Sequence, residues 1–235
     1  MGHNFCCGPL ISKDNMLKKE KRKAVSVNPG ILLLYGAPKV GKTTMLSKLD
    51  DCLVIDTEQG GNMLDGYFET VDSKDELLQF YASAAEGHEY KYFALDTIDK
   101  LVSWIERDVC REFDIESIND LPFGKGFGLV RERVMNNIKK LRSLCDHLII
   151  IGHRKTASPI DNSTAIEPES LDLSGKLKNM VMAQADAIGY MFREEDNLMV
   201  SFQAGKALEA GSRCDHLRGK VIPFDWTKIY KKEGK

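Results

Sequence analysis

The chain has 235 residues, with 33 Lys and Arg against 35 Asp and Glu, 43% hydrophobic and 8% aromatic residues. That length buries one sizeable α/β core, and a net charge of −2 excludes a globally basic nucleic-acid coat while leaving room for a local basic patch. No uncharged apolar run approaches the ~18 residues of a membrane span, no apolar signal segment opens the sequence, and the Met-Gly start carries Cys6 where a myristoylation motif wants Ser or Thr. The expectation is a cytoplasmic protein with no membrane partner.

Residues 1–28 read as a loosely attached lead-in ending in the charged run Lys18 to Lys23. The six cysteines, Cys6, Cys7, Cys52, Cys110, Cys145 and Cys214, show no Cys-x-x-Cys spacing and read as free thiols in a reducing compartment. His3 with Cys6 and Cys7 has no second ligand pair, which makes a poor zinc site.

From Gly30 the pattern changes. Ile31 to Tyr35 is a continuous apolar run stopped by Gly36, as expected of a strand covered on both faces. Three similar runs follow: Cys52 to Ile55 before Asp56, Tyr92 to Leu95 before Asp96, and Leu148 to Ile151 before Gly152. Between them, residues 72–85 read as one helix. Ile98, Leu101, Val102, Ile105 and Val109 form the apolar stripe of a second, and Val130, Val134, Ile138, Leu141 and Leu144 that of a third. Strands alternating with helices predict an α/β fold, a mainly parallel central sheet with helices on both faces. Residues 187–192 and 199–202, separated by the turn-like Glu194 to Asn197, predict a C-terminal β-hairpin that extends the sheet. The expected organisation is a lead-in over 1–28, one domain over 29–226 and a tail over 227–235.

The most specific motif is Gly36-Ala37-Pro38-Lys39-Val40-Gly41-Lys42-Thr43, followed by Thr44. It matches G-x-x-x-x-G-K-[ST] between a strand and a helix, the P-loop that cradles nucleotide phosphates. The glycines let successive N–H groups face one anion, and a helix beginning near Lys42 would add its positive end. Lys42 would reach the β- and γ-phosphates of ATP, and the Thr43 hydroxyl would hold Mg²⁺.

Ligands of parallel sheets sit at the carboxyl ends of strands, where Asp56, Glu58 and Asp96 all fall. Asp96 is the acid expected to hold Mg²⁺ through water, while Thr97 or Asp99 suits the N-cap of the following helix. Asp96 is followed by Thr97 and not by Glu, so the water-activating base has to come from elsewhere, and Glu58 is the candidate. His153, just past the fourth apolar run, is placed to touch the γ-phosphate and relay its presence.

In these residues the chain resembles a RecA/Rad51-type ATPase core, specifically the minimal phage-type nucleotide-binding proteins that include Sak4-like single-strand annealing proteins. The resemblance covers roughly residues 30–226. It rests on the P-loop, Ile55 to Glu58, Leu95 to Asp99, Ile151 to Lys155, Ala185 to Gly189 and Ala210 to Arg213. It implies a single RecA-like P-loop domain, ATP hydrolysis with Mg²⁺, Glu58 as catalytic base and His153 at the sensor position. It further implies a phage-encoded homo-oligomer with ATP at subunit interfaces, to which Arg213 or Lys206 of a neighbour would contribute. Single-stranded DNA is the implied partner, with a single-strand-binding or replication protein as a further one. Two segments would face that DNA: residues 113–128, with Phe123, Lys125 and Phe127 set among glycines, and residues 154–170, which begin with Arg154 and Lys155.

Both segments also carry acids, Asp114, Glu116 and Asp120 in the first and Asp161, Glu167 and Glu169 in the second. They keep open an alternative, a nucleotide-switched ATPase acting on a protein partner, helicase-loader-like or packaging-associated. A small-molecule kinase shares the cradle but needs a cation-rich lid, and the chain after His153 turns acidic past Lys155.

Overall fold

A computed structural model describes residues 26–155 and 169–232. The expectations for Cys6, Cys7 and His3, and most of those for the segment 154–170, lie outside the described residues.

Among the described residues, nine strands form one sheet. In chain order the elements are β1 (Ile31–Gly36), α1 (Lys42–Leu46), β2 (Cys52–Asp56), β3 (Tyr67–Thr70), α2 (Lys74–Glu86), β4 (Tyr92–Asp96), α3 (Ile98–Phe113), α4 (Lys125–Ser143), β5 (His147–His153), α5 (Gly175–Gln184), β6 (Ala187–Glu194), β7 (Asn197–Ser201), β8 (Gly211–Ser212), β9 (Val221–Pro223) and α6 (Trp226–Ile229). Across the sheet the order is β3-β2-β4-β5-β1-β6-β7-β9, with β8 beside β6. The first six in this order are parallel. β7 and β9 then extend the sheet antiparallel, so the expected hairpin is present as β6 and β7.

Period-two alternation divides the central strands between two cores. Leu33 and Tyr35 of β1, Phe93 and Leu95 of β4, and Leu148 and Ile150 of β5 enter a core closed by α2, α3, α4 and α5. Leu32, Leu34, Tyr92, Ala94, Ile149 and Ile151 enter a second core, covered by Leu46 of α1 and by Trp226 and Ile229 of α6. Helices therefore lie on both faces, but four on one and two short ones on the other. Each central strand is buried on both sides, which is why its sequence is a continuous apolar run and not an alternating one.

Both ends of the expected domain are tied down. Asn28 is buried and exchanges two hydrogen bonds with the Lys231 backbone, its Nδ2 donating to the carbonyl and its Oδ1 accepting from the N–H, both at 2.8 Å. The boundary expected at 226 falls inside α6, and Ile229 and Tyr230 are buried. Trp226 Nε1 donates to the Met45 carbonyl of α1 at 2.6 Å. Among the described residues no helix is long and apolar enough to cross a membrane, and Cys52, Cys110, Cys145 and Cys214 are free thiols.

Candidate active site

Beyond β1 the chain folds over itself, with the Val40 N–H donating to the Ala37 carbonyl at 3.3 Å. Gly41 then takes φ 121°, a backbone that side chains rarely adopt. Lys42 is buried, and its ammonium donates to the carbonyls of Gly36 at 3.1 Å and Ala37 at 2.9 Å. Burial pushes its pKa below the ordinary lysine value, against the pull of Asp96, Asp99 and Glu58. A buried cation held by loop carbonyls suits a polyanionic ligand, which restores the charge balance that burial removes. The expected helix dipole is small, because α1 is only five residues long and its capping residue Gly41 makes no side-chain bond. Anion binding therefore falls to the N–H groups of the loop itself.

Asp96 ends β4 and is 4% exposed. Thr43 Oγ1 donates to its Oδ2 at 2.6 Å. Burial raises the Asp96 carboxyl to about 6, with Asp56 and Glu58 adding to the rise, while the Thr43 hydrogen bond and Lys42 oppose it. Among the described residues no group of three or more His, Cys, Asp or Glu side chains is set to hold a metal. Mg²⁺ takes one or two protein oxygens and completes its shell with phosphate and water, and the adjoining Thr43 and Asp96 oxygens supply such a pair. Mg²⁺ bound there would neutralise charge on the β- and γ-phosphates.

Asp56, beside Asp96 in register, has a different task. Its Oδ1 accepts from the N–H groups of Glu58 and Gly60, both at 3.1 Å, and its Oδ2 from that of Gly61 at 2.7 Å. One buried carboxylate thus shapes the loop 57–61. The loop lies over the cradle, since a Cβ built on Gly60 would stand 3.5 Å from Thr43 Oγ1.

Glu58 projects from this loop and accepts from Thr97 Oγ1 at 3.3 Å. Thr97 is the residue before α3, yet it makes no capping bond, because its hydroxyl is committed to Glu58. Asp99, the other expected cap, is committed to His153. Its Oδ2 lies 3.3 Å from both the backbone nitrogen and Nδ1 of His153. That hydrogen bond raises the imidazole pKa above the usual histidine value, with burial opposing. His153 Nε2 stands 4.0 Å from Glu58 Oε2. Because β5 runs between β1 and β4, with His153 opposite Gly36 and Ile151 opposite Asp96, the imidazole emerges between the cradle and the Asp96 carboxylate. An open cleft of about 490 Å³ beside Glu58 is lined by Gln59, Asp72, Lys100, Ser103 and Arg107 among others. Lys42, Thr43, Asp96, Glu58 and His153 are thus gathered at one edge of the sheet, equipped to grip a triphosphate and orient a water molecule against its terminal phosphorus.

The other expected residues are dispersed. Arg213 lies at the opposite end of the sheet, where its backbone N–H donates to Asp186 O at 2.7 Å and its Nη1 reaches Asp186 Oδ1 at 3.2 Å. Asp186 also accepts from the N–H groups of Gly30 and Ile31, so this pair secures the start of β1. Lys206 is exposed in the turn between Gly205 and Leu208. That turn is tied to the carboxyl end of β1, because Glu169 N–H donates to Ala207 O and the single Tyr35 hydroxyl proton is shared between the carbonyls of Glu169 and Glu209, each 2.9 Å away.

Phe123 is fully exposed at φ 56° in a 3₁₀ turn before α4. Of the glycines after it, expected to be flexible, Gly126 and Gly128 are helical instead, since α4 begins at Lys125, and Gly124 caps that helix at φ 70°. Gly126 is fixed by packing, as a Cβ there would come within 2.2 Å of the Ile118 carbonyl oxygen. Lys125 Nζ sits 5.0 Å from the Phe113 ring centroid, and Phe127 is 37% exposed. Arg154 is engaged within the chain, its Nη1 bonding Glu169 Oε1 at 3.0 Å and the Tyr190 hydroxyl at 3.2 Å. Lys155 is exposed. The roles of Asp56 and Asp99 were not anticipated. A signal for Asp56 exists in its spacing to the adjacent Gly60 and Gly61, which suits an aspartate-led turn.

A family model described as an AAA domain matches residues 29–214. An SPbeta prophage-derived uncharacterized protein, YorG of Bacillus subtilis (strain 168), is 29% identical over 132 residues, 52% of this chain. The match covers 40% of that relative, so this chain aligns with well under half of it. The family match runs from just before β1 to the segment after β8 and takes in every residue of the site. By that match, the chain belongs to the AAA-domain family of P-loop NTPases.

Proposed function

We propose that the protein is a Mg²⁺-dependent ATPase of the RecA-like type, close to the Sak4-like annealing proteins, that acts with single-stranded DNA in recombination, annealing or replication. The observation that carries the ATPase part is the position of Glu58, hydrogen-bonded to Thr97 at the tip of β4 and flanked by His153 at the tip of β5. A carboxylate at that place orients water for in-line attack on a γ-phosphate held by Lys42. The DNA part is supported by the exposed rings of Phe123 and Phe127 near Lys125, since bases stack on such aromatics, and the phage origin by the similarity to a prophage-derived protein. Four free thiols among the described residues suit a reducing host cytoplasm.

Homo-oligomers with ATP at their interfaces are part of this reading, and Lys206, on the cradle side of the sheet, is the better placed of the two trans candidates. Mixing Lys206→Ala protein with Lys42→Ala protein restores part of the turnover if neighbours complete each other's sites.

The test is ATP hydrolysis with and without a single-stranded oligonucleotide, together with a nucleotide-dependent mobility shift of that oligonucleotide. Turnover with neither stimulation nor a shift removes the DNA part and leaves the ATPase. A second reading, an ATPase switched by a protein partner, is favoured by the acids beside Phe123 and by the commitment of Arg154 to Glu169. It predicts crosslinks from position 123 to protein instead of DNA.

A further inference from the structure

We propose that Arg193, on the β6–β7 hairpin, is a further nucleotide-binding residue, its guanidinium contacting the α- and β-phosphates from the side of the cradle away from Asp96. The inference rests on reading the cradle as a nucleotide site. β6 flanks β1 on the side opposite β5 and β4, and Met191 lies in register with Gly36. Met191 packs into the core that also holds Val40 and Leu46 of the cradle segment. Two residues on, strand alternation brings Arg193 to the same face, just past the level of Gly36. The placement is direct: a Cβ built on Gly41 would have Arg193 Nη2 at 3.7 Å and Leu198 Cδ2 at 3.5 Å. Arg193 and Leu198 are opposite one another in the hairpin, so this cross-strand pair borders Gly41.

The guanidinium is available. It is exposed, and among the described residues its hydrogen bond is a single one, from Nη1 to the Asp196 carbonyl at 3.1 Å. Among the described residues no carboxylate forms an ion pair with it, unlike Arg133, Arg154, Arg213 and Arg218. The residues after it, Glu194, Glu195 and Asp196, are all exposed acids. A hairpin tip so charged would repel a polyphosphate, and Arg193 is the hairpin cation that opposes this repulsion on the cradle side. A guanidinium offers a planar fork of donors that matches two phosphate oxygens at once. Lys42, Thr43 and Asp96 approach from the other side and serve the terminal phosphates, so Arg193 touches the part common to ADP and ATP.

The experiment is calorimetric binding of ADP and of a non-hydrolysable ATP analogue, each with Mg²⁺, to wild type, Arg193→Ala and Arg193→Lys. Both dissociation constants rise by the same factor in Arg193→Ala, about tenfold or more, and Arg193→Lys recovers part of the loss. Melting without nucleotide separates a binding defect from a folding defect, and Arg193→Lys carries the test if the alanine variant melts early. Dissociation constants within about twofold of wild type would overturn the proposal, as would a loss confined to the ATP analogue. A wild type that binds neither nucleotide sinks the nucleotide-site reading itself, and this inference with it.

Discussion

Thr43 Oγ1 and Asp96 Oδ2 are 2.6 Å apart, so the phosphate loop and the tip of β4 are joined at the point where Mg²⁺ would enter. The carboxylate at this junction is buried and strained toward its neutral form. Asp96→Asn removes a charge that the fold disfavours above pH 6. In EDTA at pH 8 the variant should therefore melt higher than wild type, by about 1–3 kcal/mol of added stability. With Mg²⁺ and ATP its turnover should fall at least about a hundredfold. Calorimetric melting and a phosphate-release assay read the two effects; equal or lower apo stability would contradict the burial argument.

Glu58→Gln keeps the size of the side chain and a group able to accept from Thr97 while removing the base. ATP affinity should stay within about threefold of wild type, and turnover should drop by about 10²–10⁴. Single-turnover hydrolysis beside equilibrium binding separates the two. A variant that still turns over ATP at the wild-type rate takes Glu58 out of the mechanism.

The His153 imidazolium is favoured in the folded state chiefly by its hydrogen bond to Asp99. Since the folded pKa is raised, this contribution to stability is complete below about 6.5, the unfolded value, and is lost as pH rises through the folded value. Turnover that depends on a cationic His153 should decline over the same alkaline range. Asp99→Asn should move both the decline and the NMR titration of His153 to lower pH. A His153 titration that does not move in that variant would refute the pairing.

Phe123 has no side-chain burial to lose, and its φ of 56° is costly for a residue with a Cβ. Phe123→Gly should leave the protein equally stable or add about 0.5–1 kcal/mol, which a denaturant titration can read. If the ring stacks on bases, oligonucleotide affinity should fall by about 1–3 kcal/mol without a change in DNA-free ATP turnover. Unaltered oligonucleotide affinity would move the contact elsewhere.

Much of this was legible from residues alone because the central strands are buried on both faces. Ile31 to Tyr35, Tyr92 to Leu95 and Leu148 to Ile151 had to be continuous apolar runs, and the residues that break them, Gly36, Asp96 and Gly152, mark the edge where the chemistry sits. The strand β3 left no such mark. It has one strand neighbour, β2, and three of its four residues are exposed, so Tyr67–Thr70 reads as loop. The insertion of β5 between β1 and β4 is a tertiary choice that no local pattern encodes, yet it is what brings His153 to the cradle. The start of α4 was hidden for another reason: the glycines at 124, 126 and 128 suggest a loose segment, whereas contact with Ile118 demands the missing side chain at 126. Asp56 and Asp96 look alike in sequence, each closing an apolar strand. In the fold they part: Asp56 accepts from the N–H groups of its own loop, whereas Asp96 meets the Thr43 hydroxyl, where Mg²⁺ would enter.

The hydrogen bond from Trp226 to Met45 joins residues 181 positions apart. A chain leaves the ribosome amino end first, so the loop between β1 and α1 is made early while the indole that braces its helix arrives after every described strand. The helix that follows the loop is therefore braced in this way only in a polypeptide extended at least to Trp226.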